Sequence, residues 1–201
     1  MSKLSELVGV VEEPHLVIQE YFKTLDDWCT EMELSDPIKQ SVMSSQLVLI
    51  PEGFRDCPKA FTNYASDFYN YCKHVNSVSI EICCNDEEFT QLELCSVKVR
   101  LGKIIATSSI SGVIIWNIVS GYIKDVIDEA VKTEPVVEQV ADVPSFQSEP
   151  ECSFSVIIRD STGKCIEVKY DGPVSGMEEA GEQIKITLIT QHYYKLNFLS
   201  T

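Results

Sequence analysis

Apolar and polar positions divide the first part of the chain into segments of helical and of strand periodicity. Between Ile18 and Met32 apolar side chains recur every three or four residues, which places them on one face of a helix. Pro14 suits the first turn of that helix, and a Ser-Asp-Pro sequence at residues 35–37 marks a break after it. The pattern therefore predicts a first helix over residues 14–32.

Residues 47–99 predict a strand, a second helix and a hairpin. The apolar run at 47–50 stops at Pro51 and is typical of a short strand. A second amphipathic helix is predicted from Asp56 to Val75, with Pro58 in its first turn. Alternating apolar residues then predict two strands over 77–84 and 89–99, joined by a hairpin loop at 85–88.

The second half of the chain begins with its most apolar segment and then changes period. Residues 104–131 predict a long helix that is apolar nearly all round at 110–119, as in helices buried within a fold. A linker rich in proline and glutamate follows at 133–151. Strands are predicted at 154–159 and 165–170, a glycine-bearing loop at 172–181, and alternating strands from Ile184 to Phe198.

This order of elements predicts a single α+β domain over residues 1–201, with three helices packed on one face of a largely antiparallel β-sheet. Within it we expect a flexible N-terminal segment at 1–13, a helix and sheet core at 14–132, a linker loop at 133–151 and a C-terminal β region at 152–201.

The charge of the chain narrows the class of partner. There are 31 acidic and 16 basic side chains, for a formal net charge of −15. Nucleic-acid binding needs a basic surface to meet phosphates, so we expect no direct nucleic-acid partner, and a basic protein surface is the more natural one. The apolar run at 110–119 is too short to span a bilayer, which takes about 20 residues. We therefore expect an intracellular protein of the nucleus or cytoplasm, with no membrane partner.

Candidate catalytic and metal-binding residues are few. None of the eight cysteines forms a Cys-x-x-Cys pair, and this favours small buried hydrophobes in a reducing compartment over a zinc site. The three histidines, His15, His74 and His192, are widely spaced, and no phosphate-binding loop occurs. We expect no cofactor, no metal and no catalytic residue. A cysteine-dependent α+β hydrolase assembled from distant positions stays open as an alternative from another class.

Two short motifs resemble the HORMA domain family. Residues 152–158, Cys-Ser-Phe-Ser-Val-Ile-Ile, are similar to the strand that opens the C-terminal region of its spindle-checkpoint members. Residues 88–94, Glu-Phe-Thr-Gln-Leu-Glu-Leu, resemble the Glu-Phe-x-x-Leu-x-Leu of its comet-type adaptors. The resemblance implies a HORMA-like fold, with three helices on a sheet and a C-terminal β "safety-belt" region. Residues 28–37 depart from the family, since they lack the arginine of its first-helix motif.

The resemblance also implies a function. We expect a non-catalytic adaptor of spindle or meiotic checkpoint signalling, which binds another HORMA protein and presents it to an AAA+ remodelling ATPase. The alternative within the family is a safety-belt protein that entraps a short partner peptide, in checkpoint, DNA-repair or autophagy pathways. The candidate partner-binding residues lie on the C-terminal strands and the long helix, and they are Lys164, Ile166, Val168, Tyr170, Ile184, Ile186, Asn117, Tyr122 and Lys124.

Overall fold

A six-stranded mixed sheet and a second sheet of three short strands organise the chain. The computed structural model describes residues 15–54, 57–74, 78–93, 98–107, 110–133, 149–159 and 164–186. Its strands are β1 (His15–Tyr21), β2 (Leu47–Ile50), β3 (Glu52–Phe54), β4 (Cys57–Thr62), β5 (Ile80–Ile82), β6 (Thr90–Leu92), β7 (Val99–Ala106), β8 (Glu151–Arg159) and β9 (Cys165–Pro173). Its helices are α1 (Leu25–Glu31), α2 (Asp36–Ser44), α3 (Asn63–His74), α4 (Gly112–Thr133) and α5 (177–186). The α+β class is therefore confirmed.

The large sheet has the strand order β1-β9-β8-β7-β2-β5. Strands β1 and β9, β9 and β8, and β7 and β2 pair antiparallel, whereas β7 and β8, and β2 and β5, pair parallel. Parallel neighbours need a long crossover, and the α4 segment supplies one between β7 and β8. The small sheet has the order β3-β4-β6. The expected largely antiparallel sheet is thus a mixed one.

Helices cover both faces of the large sheet, so the expectation of one covered face is wrong. A larger core lies between one face and helices α3, α4 and α5, with Phe68, Ile115 and Met177 among its fully buried members. A smaller core lies on the opposite face, where Cys29 and Val42 bring α1 and α2 against the sheet. Side chains alternate between the faces along each strand, and both faces of the central strands are therefore apolar where helices cover them.

The predicted first helix is wrong over its first half, because residues 15–21 form strand β1. Leu16 and Ile18 fit the alternation of a strand as well as the spacing of a helix. In the structure they pack on the larger core, and β1 pairs with β9. Helix α1 begins only after Thr24, whose hydroxyl accepts from the Asp27 N–H at 3.1 Å. The Asp27 carboxylate in turn accepts from the Thr24 N–H at 2.7 Å, which completes a capping box. Helix α2 was not predicted. It begins within the Ser-Asp-Pro sequence, with Ser35 at its N-cap and Pro37 in its first turn.

The second helix begins later than predicted, because residues 57–62 form strand β4. The Thr62 hydroxyl accepts from the Ala65 N–H at 3.0 Å and so satisfies one free donor at the start of α3. The predicted hairpin over 77–99 is also wrong. Its two short strands belong to different sheets, β5 to the large one and β6 to the small one, and a 3-10 turn at Asp86–Glu88 lies between them.

The predicted bounds of the long helix and of the C-terminal elements also differ from those in the structure. Helix α4 begins at Gly112, and Val99–Ala106 form the central strand β7. The strands at 154–159 and 165–170 are confirmed, as the antiparallel pair β8 and β9. Residues 177–186 are helical, where a loop and a strand were expected. The predicted elements at 1–13 and 187–201, and most of the 133–151 linker, lie outside the described residues.

Helix α5 packs against helix α4 through a close approach of its backbone to Trp116. A Cβ atom added at Gly181 would lie 2.5 Å from the Trp116 Nε1 atom, whereas one added at Gly121 of α4 would meet only the Tyr71 hydroxyl at 3.4 Å. Both glycines lie within helices, where alanine is favoured by up to about 1 kcal/mol.

We therefore predict opposite signs for two alanine substitutions. Gly181→Ala should lower the free energy of unfolding by about 1–3 kcal/mol, since the methyl group overpacks the core against Trp116. Gly121→Ala, the matched control, should leave stability unchanged or raise it by about 0.5–1 kcal/mol. Urea unfolding followed by circular dichroism measures both. Equal effects of the two substitutions would contradict the packing of α5 on Trp116.

Candidate partner-binding groove

The candidate residues on strand β9 lie in the interior of the large sheet. The strand is bordered by β1 on one side and β8 on the other, so its backbone is paired along both edges. Ile166, Val168 and Tyr170 are buried in the larger core. Lys164, just before the strand, is exposed, and its ammonium lies 3.1 Å from the Glu20 carboxylate. A partner would reach the three apolar side chains only if β9 left the sheet, and their partner-binding role stays a prediction.

The candidate residues on the two helices divide between core and surface. Ile184 is buried in α5, whereas Ile186 in the same helix is 63% exposed. On α4, Tyr122 is buried and its hydroxyl donates to the Tyr64 carbonyl oxygen at 3.0 Å. Asn117 and Lys124 are exposed on that helix. Because they are seven residues apart, they share one helix face, and this pair is the part of the predicted α4 surface open to a partner.

The structure brings a different set of side chains together at the edge of the large sheet. A groove of about 460 Å³ lies beside strand β5, between α2 on one side and α3 on the other. We call it the β5 groove. Its lining residues are Pro37, Ile38 and Ser41 of α2, Tyr69 of α3, and Glu81, Ile82, Cys84, Asn85, Asp86 and Phe89 of the β5 strand and the turn after it. The β5 groove was not predicted from the sequence, because helix α2, which forms one of its walls, was not predicted.

The floor of the β5 groove is an unpaired strand edge. The Ser79 carbonyl and the Cys83 N–H both make backbone hydrogen bonds to strand β2. Because successive backbone groups of a strand point in opposite directions, those of Ile80 and Ile82 point away from β2. Ile80 is buried, and the Ile82 carbonyl oxygen accepts from the Cys84 N–H at 2.9 Å, so the Ile82 N–H is the edge group on the groove side. No other strand among the described residues pairs with that side of β5. An open edge of this kind is a template for an added strand.

The aromatic side chain of Phe89 forms part of the groove wall. Phe89 is 40% exposed, and its ring stacks on the Phe61 ring with 5.4 Å between centroids. Opposite, the Lys73 ammonium lies 4.2 Å from the centroid of the Tyr69 ring. Phe89 and Tyr69 therefore add aromatic surface to the groove, which suits apolar side chains that alternate along an extended segment.

Acidic side chains dominate the rim of the β5 groove. Glu81 and Asp86 line it, and Glu87 and Asp36 are exposed next to it. Glu88 lies 2.7 Å from the Lys59 ammonium, and hydrogen bonding to this lysine lowers the pKa of its carboxyl group. The rim is therefore anionic at neutral pH, in keeping with the net charge of the chain, and attracts basic segments.

The buried thiols among the described residues are poor nucleophiles. Burial raises the pKa of Cys72, of Cys83 and of Cys152 to about 12, and also raises the pKa of Cys84 at the β5 groove. A thiol with a raised pKa is a thiolate only in trace amount near neutral pH, and the thiolate is the reactive form. Within the part of the chain that the structure describes, no group of three or more His, Cys, Asp and Glu side chains could hold a metal ion.

Comparison with known proteins gives no family assignment. The chain matches no family model, no curated protein and no solved structure. Among the described residues no helix combines the length and the apolar character needed to cross a bilayer.

The thiol environment leads to a labelling prediction. In the native protein at pH 8, iodoacetamide should leave Cys72, Cys83 and Cys152 unmodified, because burial both shields these thiols and raises their pKa. Cys57 and Cys165, which are partly exposed, should react first. Peptide mapping by mass spectrometry measures the modified fraction at each site, with urea-unfolded protein as the control for full reactivity. Rapid native labelling of Cys72 would instead support the cysteine hydrolase alternative.

Proposed function

We propose that this chain is a non-catalytic protein-binding domain, which takes up a basic, extended segment of a partner along the open edge of β5. In its more specific form, the proposal is an adaptor of HORMA type that binds another HORMA protein and presents it to an AAA+ remodelling ATPase. The β5 groove carries the general proposal. The specific form rests on the sequence resemblance of residues 88–94 and 152–158.

The position of Phe89 links the two levels of the proposal. This residue belongs to the segment that resembles the comet-type adaptors, and it forms part of the wall of the β5 groove. Its exposed ring lies beside Cys84, next to the open strand edge, where a partner side chain would contact both. A partner docked on the β5 edge would therefore contact the motif through which the family resemblance was recognised.

The chemistry of the groove defines the partner segment. A main-chain hydrogen bond from the Ile82 N–H would help to set the direction of the added segment and would contribute affinity without sequence preference. Ile38 and Phe89 offer apolar contacts to side chains on its two faces. Glu81 and Asp86 favour lysine or arginine at neighbouring positions. We therefore expect a short extended segment in which apolar and basic residues alternate.

A safety-belt mechanism is the second function in view. It needs a segment that leaves and rejoins the sheet, whereas the described C-terminal strands lie in the sheet interior and contribute Val168 and Tyr170 to the larger core. Opening such a strand breaks two rows of backbone hydrogen bonds. Binding at a preformed edge needs no such rearrangement, which favours the adaptor proposal.

The test is a charge reversal at the groove. The double variant Glu81→Lys and Asp86→Lys should weaken partner binding by about tenfold or more, because it replaces attraction by repulsion at the rim. The matched control is Glu178→Lys with Glu179→Lys, two exposed residues of α5 that give the same change in net charge. The control should bind as the unchanged chain does. Equal weakening by both variants would show a general charge effect and contradict the groove.

The identity of the partner separates the adaptor from the belt. The partner is captured on the full chain from native extract, identified by mass spectrometry, then purified and titrated against both double variants by calorimetry. A folded HORMA protein captured together with an AAA+ ATPase supports the adaptor. A short peptide that dissociates over hours and exchanges slowly on the full chain supports the belt instead.

A further inference from the structure

A second cavity lies on the large sheet between strand β7, the β2–β3 connection and helix α1. Its volume is about 470 Å³, and its lining is formed by Trp28, Ile50, Pro51, Glu52, Gly53, Arg100 and Lys103. Past Glu52 and Lys103 it continues into a depression of about 340 Å³ over β8 and β9. We call the two together the β7 cleft. It shares no lining residue with the β5 groove.

Arg100 is the unexplained group in this cleft. Its Nε atom is buried and has no hydrogen-bond partner. Among the described residues its guanidinium forms no ion pair. The acid in the cavity wall is Glu52. A buried donor without a partner costs about 1–3 kcal/mol and needs an explanation. A guanidinium presents its donors as a fork that fits the two oxygens of a carboxylate or phosphate.

The backbone places Arg100 by means of an irregularity in β7. The pairing with β8 shifts register between Arg100 and Gly102, as in a β-bulge, which re-aims side chains. Gly102 has a φ of +71°, and a Cβ atom there would lie 3.1 Å from the Glu52 Cγ atom. The glycine thus both allows the bulge and leaves room for the Glu52 side chain to lie across the strand.

Lys103 supplies a second cation, whose charge is only partly neutralised by its carboxylate partner. Its ammonium lies 3.3 Å from the Glu167 carboxylate and 5.1 Å from the centroid of the Tyr21 ring. Glu167 is buried and also has the Lys169 ammonium at 3.3 Å. One carboxylate therefore faces two ammonium groups, and the positive charge of the pair exceeds the negative charge between them.

The carboxylate of Glu167 is saturated by its neighbours. The Ser155 hydroxyl donates to it at 2.7 Å, and the Gln19 amide donates at 2.7 Å to its other oxygen. Burial alone would raise the pKa of Glu167, but these hydrogen bonds and the nearby Lys103 outweigh it and hold the pKa below its ordinary value. Glu167 is consequently a fixed anion that orients Lys103, with both of its oxygens already occupied.

Glu52 completes the wall of the cleft. It has no ion pair within 4.0 Å among the described residues, although Arg100 and Lys103 lie close enough to influence it. Burial raises the pKa of its carboxyl group against the opposing effect of these two cations. The lining holds three acids, Glu52, Glu167 and Asp171, and three bases, Arg100, Lys103 and Lys169. Asp171 is paired with the Lys98 ammonium, which lies outside the lining, and Glu167 is shared by Lys103 and Lys169. Arg100 is therefore the base of the cleft that has no ion pair among the described residues.

We infer that the β7 cleft is a binding site for the oxyanion group of a small molecule, a phosphate or a carboxylate, held between the Arg100 guanidinium and the Lys103 ammonium. Trp28, Ile50 and Pro51 form the apolar part of the wall and would contact the rest of the molecule. The ligand provides acceptors for the guanidinium, whose Nε atom has no hydrogen-bond partner. This site is independent of the proposed protein partner, which docks at the β5 groove.

The test uses the full chain with inorganic phosphate, with acetate and with chloride at equal ionic strength. Binding is followed by amide chemical shifts in NMR titrations. We expect saturable shifts at Gly53, Arg100 and Lys103 with phosphate or with acetate, and none with chloride. Saturation by phosphate alone indicates a phosphorylated ligand, and saturation by acetate alone indicates a carboxylate. Shifts that also occur with chloride, or that lie away from the cleft, would overturn the inference.

Variants identify the residue responsible. Arg100→Gln should weaken the binding of the effective anion at least fivefold, whereas Arg159→Gln, at an exposed position of β8, removes the same charge and should bind as the unchanged chain does. Arg100→Lys keeps the charge but loses the fork, and it should also bind more weakly. It serves as the second variant if Arg100→Gln does not fold. Unchanged affinity in a folded Arg100 variant would refute the assignment. Loss of partner binding by the Glu81 and Asp86 double variant, with anion binding retained, would show that the two sites are separate.

Discussion

The contact of Trp116 with the β8–β9 hairpin holds the two halves of the molecule together. The indole ring lies 5.4 Å from the Phe154 ring and 6.1 Å from the Tyr170 ring, between centroids. These three aromatic side chains come from α4, β8 and β9, and α5 packs on the far side of the indole through Gly181. Aromatic groups of this size bury more apolar surface than other side chains.

How well the sequence predicts an element depends on whether one face or both faces of that element are covered by the rest of the fold. Residues 154–159 and 165–170 were correctly predicted as strands, because a turn and a clear alternation lie together there. The end of strand β7, residues 104–106, was assigned to the long helix. Helices cover both faces of this strand, and a doubly buried strand has the same continuous apolar run as a buried helix. Strand β1 was misassigned because Ile18 and Tyr21 satisfy a helical spacing as well, and only pairing with β9 decides between the two.

The sites were less predictable than the fold, and for a different reason. The β5 groove and the β7 cleft each combine residues from three or more separate segments. No local sequence pattern predicts that such residues lie close together. Phe89 was singled out through its motif, yet nothing in the sequence placed Ile38 or Tyr69 beside it. Glu52 and Arg100 belong to no sequence motif. A register shift and one glycine with positive φ bring them together, and neither can be read from a single sequence.

The shortness of β5 has a consequence for how copies of this protein behave toward one another. A long, flat, unpaired edge invites identical chains to join into extended sheets. Here the open edge spans only three residues, is recessed between two helices and is bordered by carboxylates. The edges of two identical molecules would bring like charges face to face and could form few hydrogen bonds in return. The same geometry that admits a slender cationic segment thus disfavours the pairing of identical chains at this edge of the sheet.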